Sequence, residues 1–166
     1  MTQTSQRTSV GEGSIVVEGV VRENVALRFD DLAALPDQVA DAGALVAGRS
    51  GRAVRLRSIL ATAGVDPSAS HLTVESDDAS FAASVPLEAV GEAIVVYALD
   101  GNPLPREKGG PFRLLIPDAA RCGSAEVDKC ANVKSVGVLR LDVGHGHDTR
   151  PSTRAAHIEM HKKPGH

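Results

Sequence analysis

The chain has 166 residues, a formal net charge of −3 and 42% apolar residues. That length suits one domain with a sizeable core. Aromatics are only 2% (Phe29, Phe81, Tyr97 and Phe112), so the core must be built from Val, Leu, Ile and Ala. Few rings and a negative balance exclude a base-stacking platform for single strands and a general phosphate-backbone binder, so no nucleic-acid partner is expected.

In chain order, residues 1–13 are polar and read as a disordered arm. They hold no apolar run of signal-peptide length. The longest apolar run, Ala93 to Leu99, is too short to cross a bilayer, so the expectation is a cytoplasmic protein with no membrane partner. Residues 14–143 read as the folded domain. Ser14–Val21 alternates and is β-branched, which predicts a strand, and Val25–Phe29 predicts a second. Asp30-Asp31 stands where an N-cap belongs, ahead of a short helix Leu32–Leu35 that Pro36 closes. Gln38–Gly48 is Ala-rich but broken by glycine, and reads as an irregular strand leading to the loop Gly48–Gly51.

Arg52–Leu56 alternates as a strand. Arg57–Ala63 reads as a helix with Ile59 and Leu60 inward and Gly64 as its C-cap. His71–Glu75 and Phe81–Val85 form a predicted strand pair, with Asp77-Asp78 as a turn between them. Pro86 starts a helical turn, and Glu92–Leu99 is a strand that ends at the Asp100-Gly101 turn.

The segment Gly109–Ser135, GGPFRLLIPDAARCGSAEVDKCANVKS, concentrates the chemistry. Gly109 and Gly110 lack a Cβ, so backbone there can approach a ligand closely. Phe112–Ile116 reads as a buried strand stopped by Pro117, and Arg113 interrupts it. A guanidinium is rarely buried without an acceptor. Val133–Val143 reads as a further strand, opened by Asn132 and Lys134. Two cations beside glycine-rich backbone form a candidate anion cradle. The rival reading is a sheet core with a snorkelling arginine and a surface lysine.

Cys122 and Cys130 are separated by seven residues, wider than the two to four usual for a zinc half-site. Free thiols, a disulfide and a metal site all remain open for them. Residues 144–166 read as an extension outside the core, and five of the six histidines fall there. His145-Gly-His147 and His157-x-x-x-His161 have chelating spacings, so a divalent transition metal on this tail is a candidate, against a solvated terminus. A short helix Ser152–Lys162 is a further candidate there. His71 stands alone and reads as a packed or surface histidine.

The order GVV, LRFDDLAALP, GRSGRAVRLRSILATAGV, HLTVESDDASFAASVPL, IVVYALDGNPLPREKGGPFRLLIP and CANVKSVGVLRL resembles the oxidoreductase molybdopterin-binding domain, the central domain of the sulfite oxidase family. The resemblance runs from about Gly19 to Leu141. It implies an α+β fold with a mixed, curved, barrel-like sheet and short helices. It also implies a molybdopterin cofactor, oxygen-atom or electron transfer, and a redox partner subunit. The pterin carries a phosphate, which calls for a cationic cradle. Arg113 matches the family's G-x-P-x-R segment, and Asn132 and Lys134 match its K-S-x-K-W segment, with Ser135 in place of the final aromatic. By this reading Gly109, Gly110, Arg113, Asn132 and Lys134 bind the cofactor. Catalytic members supply a cysteine thiolate to molybdenum from a C-x-G-N-R-like stretch. Here that stretch is LVAGRSG, and Val46 stands where the cysteine would be. A hydrocarbon side chain cannot donate electrons to a metal. The alternative function is therefore a cofactor-free relative that binds a small anion, a metal or a protein partner.

Overall fold

In the computed structural model the structure describes residues 13–46, 48–117 and 133–146. Asn132, Cys122, Cys130, His147, His157, His161 and the candidate helix Ser152–Lys162 lie outside the described residues.

Ten strands and two α-helices are described. They are β1 (Ser14–Gly19), β2 (Val25–Arg28), α1 (Phe29–Ala33), β3 (Gln38–Val39), β4 (Arg52–Arg55), α2 (Leu56–Ala63), β5 (His71–Ser76), β6 (Ala82–Pro86), β7 (Ile94–Leu99), β8 (Asn102–Pro103), β9 (Arg113–Leu115) and β10 (Val136–Asp142). They form two sheets. One runs β2-β1-β10-β5-β6. The other runs β3-β4-β7-β8, with β9 also paired to β7. The α+β class holds, but the described strands form two separate sheets and no closed barrel.

β10 lies between β1 and β5, parallel to the first and antiparallel to the second. Its alternation sends Leu139 and Leu141, both fully buried, to the interior. Its other face carries Arg140. That guanidinium donates to Glu18 on β1 at 2.9 Å and to Glu75 on β5 at 2.6 Å, so one cation links three strands. β7 plays the same central part in the second sheet: Ile94, Val95 and Val96 are all buried. The main core lies between the sheets, with Ile15, Val17, Leu72, Leu114 and Leu139 among its members. A smaller cluster of Ala42, Ala53, Ile94, Val96, Leu104 and Leu115 packs on the far side of the second sheet.

Two local readings shift. The first helix begins at Phe29, one residue after β2, with Arg28 at its cap. Asp31 sits in the first turn, where its carboxylate accepts the Arg28 N–H at 2.8 Å. An acidic group there is favoured by the helix N-terminal charge as well as by the bond, so Asp30-Asp31 lies inside the helix. The stretch after Pro36 is a two-residue strand, Gln38–Val39, followed by a 3-10 turn at Ala42–Ala44 whose cap is the Asp41 carboxylate, accepting Gly43 N–H at 3.2 Å. Alanine's helical tendency wins there once a capping aspartate is present. By contrast α2 runs as its pattern predicts: Ile59 and Leu60 are buried, and Gly64 closes it in the left-handed region at φ 75°.

Leu139→Ala removes a fully buried side chain from the central strand. The expected loss is about 3 kcal/mol, read as a lower urea midpoint at unchanged slope.

Candidate functional site: a cationic cavity beside the glycine pair

The glycine pair sits at a crossing of backbones. Gly109 has φ 95°, and a Cβ there would come within 2.8 Å of Arg113 Cδ and 3.3 Å of Lys134 Cγ. The stems of Arg113 and Lys134 therefore both pass close to the space that a side chain at this bare α-carbon would fill. Gly110 abuts the carbonyl of Leu104, which leaves no room for a side chain. Ser135 ties the turn down: its N–H donates to Gly109 O at 2.7 Å and its hydroxyl to Gly110 O at 2.6 Å.

From that shared point the two cationic heads go to different cavities. Arg113 lines a cavity of about 150 Å³ with Gly48, Arg49, Ser50, Val96, Leu99, Leu104, Lys108 and Leu115. Lys134 lines another, of about 370 Å³, with Ser76, Asp77, Asp78, Ser80, Phe81, Arg106, Val133 and Ser135. The first wall carries three cations and no carboxylate. The second is charge-balanced: Arg106 donates to Asp77 at 2.7 Å in an ion pair whose carboxylate is nearly buried.

The Arg113 cavity has the marks of an anion site. Arg113 Nε is buried and has no hydrogen-bond partner among the described residues. One terminal nitrogen reaches the Lys108 carbonyl at 3.2 Å. Burial, and then the positive charge of Arg49, push the Arg113 guanidinium below its ordinary range. A buried donor without an acceptor costs about 1–3 kcal/mol, and like charges add to that. An anion in the cavity would relieve both. Arg49 and Lys108 were not among the residues singled out from the sequence. The signal for them was present in GRSG and REKGG, cations set beside glycines, but nothing local says that the two loops meet.

Val46, in the stretch leading to the Gly48–Ser50 loop, is half-buried and packs on the smaller apolar cluster. Its methyls offer no soft donor.

His145 is the one tail histidine within the described residues. Its ring meets His71 edge-on, centroids 5.6 Å apart. The flanking backbone is pinned to the first sheet, Gly144 N–H to Ser70 Oγ and Gly146 N–H to Ser84 Oγ, each at 2.8 Å. Among the described residues no group of three or more His, Cys, Asp or Glu side chains is placed to hold a metal ion. Nor is any described helix long and apolar enough to cross a membrane.

Residues 52–129 match the family described as oxidoreductase molybdopterin binding domain. No curated protein matches the chain. Among solved structures the chain is similar to the sulfane dehydrogenase SoxCD from Paracoccus pantotrophus, with a TM-score of 0.62 and 24% identity over 84% of this chain. The chain spans 40% of the length of that structure's chain. At this identity the likeness concerns the fold.

Asp78 supplies a pH test of the loop between β5 and β6. Its carboxylate accepts Ser80 N–H at 3.0 Å, Ser80 Oγ–H at 2.7 Å and Ser76 Oγ–H at 2.9 Å. These bonds, led by the Ser80 hydroxyl, lower its pKa from 3.8 to about 2. The folded value lies below the unfolded one, so the stabilisation is full above pH 3.8 and disappears as pH falls through about 2. A carboxyl NMR titration should give a midpoint near 2, and Ser76→Ala with Ser80→Ala should return it toward 3.8.

Proposed function

We propose that this chain is an oxidoreductase molybdopterin-binding domain that holds an anionic pterin cofactor through the cations around its glycine pair and does not ligate molybdenum through a thiolate of the LVAGRSG stretch. The observation that carries the first half is the buried, unpartnered Nε of Arg113 in a cavity walled by Arg49 and Lys108. The cofactor's phosphate supplies the missing acceptor and compensates the like charges. Gly109 and Gly110 let the backbone come close, and Lys134, whose stem also abuts Gly109 although its head lines the neighbouring cavity, is the second proposed cation. Asn132, from the same CANVKS segment, completes the set of proposed cofactor contacts.

When bound, molybdopterin supplies oxygen-atom or electron transfer, and a redox partner subunit would take up the electrons. The chain's own part is to bind and orient the anionic end and to keep Arg113 charged. Val46 carries the second half of the reading, because a valine cannot replace a thiolate donor. The same residue favours one rival: a cofactor-free relative that uses the cation-lined cavity for a small anion. At about 150 Å³ that cavity is smaller than the 300–1,000 Å³ of typical organic-ligand pockets and fits a guest of a few heavy atoms. The tail histidines His147, His157 and His161 lie outside the described residues, and a divalent transition metal there is no part of this reading.

The test is expression in a host that makes the cofactor, followed by pterin and molybdenum analysis of the purified protein. The expected result is near-stoichiometric pterin. Arg113→Ala and Lys134→Ala should each weaken its retention by roughly 1.5–3 kcal/mol, the scale of a hydrogen bond to a charged group. Absence of pterin, together with saturable sulfate or phosphate binding that Arg113→Ala abolishes, would replace this reading with the small-anion one.

A further inference from the structure

A second cavity, of about 590 Å³, opens beside the cationic one and shares Ser50 and Leu99 with it. Its volume is in the range of small-molecule sites. It does not include Arg113. Its fixed feature is Arg52, at the start of β4. The Arg52 Nε donates to the Tyr97 hydroxyl at 3.1 Å and to Gln38 Oε1 at 3.2 Å. Tyr97, 1% exposed, donates its own hydroxyl to Gln38 Oε1 at 2.5 Å. Gln38 Nε2 in turn donates to Leu32 O at 2.8 Å and Leu35 O at 2.9 Å, the carbonyls at the end of α1. Those two bonds settle which way the amide faces and leave its oxygen toward Tyr97 and Arg52.

The network spends only Nε of the guanidinium. The terminal amino groups of Arg52 make no hydrogen bond or ion pair among the described residues. A fork held at its base and open at its tip is arranged for a carboxylate. Arg52 itself is exposed, and the buried Tyr97 and half-buried Gln38 fix the base of its fork. Two carboxylates, Asp41 and Asp100, line the same cleft, and Phe29 contributes an apolar wall. With one cation and two anions on its walls, the cleft would repel a simple anion and disfavour a purely apolar guest.

We propose that this cleft binds a small zwitterion, an ammonium and a carboxylate on an apolar body, as in an amino acid or a dipeptide. The carboxylate pairs with the fork of Arg52, the ammonium with Asp41 or Asp100, and the apolar part lies on Phe29. The site is separate from the proposed cofactor cradle and does not depend on it. Gly51 makes the placement of Arg52 possible: with φ 110° and a virtual Cβ 2.7 Å from Ala98 O, only glycine fits between Ser50 and β4.

The test is titration of the ¹⁵N-labelled full chain with leucine and, separately, with alanyl-leucine. Saturable shifts centred on the Gly51, Ala98 and Gly101 amides are expected for at least one of them. Arg52→Gln should weaken that binding at least tenfold, while Arg52→Lys, which keeps the charge and loses the fork, should recover only part of it. N-acetyl-leucine amide, which lacks both charges, should not bind. Arg113→Ala should leave the affinity unchanged, which separates this site from the cofactor cradle. No saturable shift with either zwitterion, equal affinity in Arg52→Gln, or loss in Arg113→Ala would overturn the assignment.

Discussion

The fold depends on a backbone crossing at which one short segment serves both sheets. Leu114 N–H donates to Val133 O at 2.9 Å, Val136 N–H to Phe112 O at 2.7 Å and Ser135 N–H to Gly109 O at 2.7 Å. β9 belongs to the second sheet and β10 to the first, so these three bonds hold the sheets in a fixed relation. The glycine pair fits the crossing: a side chain on Gly110 would run into the Leu104 carbonyl, and one on Gly109 would have to adopt φ 95° and displace the Arg113 and Lys134 stems. The bulky apolar residues that flank it, Phe112 and Leu114, then close the core over the joint.

The charge arrangement follows from that joint. Backbones that close together force the long side chains nearby to leave sideways. Arg113 goes toward the Gly48–Ser50 loop and Lys134 toward the loop between β5 and β6. One exit leads to other cations and the other to carboxylates. The two lysine and arginine heads therefore differ in electrostatic setting although their stems flank one α-carbon. Arg113 carries the uncompensated burial, so it dominates the case for an anionic guest.

Much of the architecture was legible in the sequence because it rests on local pattern. Two-residue alternation gave β1 and β4, and the glycine after Ala63 marked the end of α2. What escaped was contingent on tertiary contact. The strand β8 is two residues long and exists because β7 accepts it, so no period could announce it; the expected irregular strand from Gln38 shrinks to the two residues that β4 pairs. Arg113 was conspicuous as a cation in an apolar run. Arg49 and Lys108 were not, since each lies on a polar loop where a charge is ordinary. Arg52 was equally silent: its importance comes from Gln38 and Tyr97, fourteen and forty-five positions away in the chain.

The short outer strands have a consequence for how molecules of this protein meet each other. An exposed strand is a template on which a second chain can add hydrogen bonds and start an aggregate. The second sheet is bounded on one side by β3 and on the other by β8 and β9; β3 and β8 offer two residues each and β9 three, and β8 ends in Pro103. The first is bounded by β2, which turns into a helix after four residues, and by β6, which ends in Pro86. Proline cannot donate to a growing ladder. Both margins are thus poor seeds for intermolecular β-pairing, a safeguard that suits a chain whose interior is built from β-branched aliphatics with few rings.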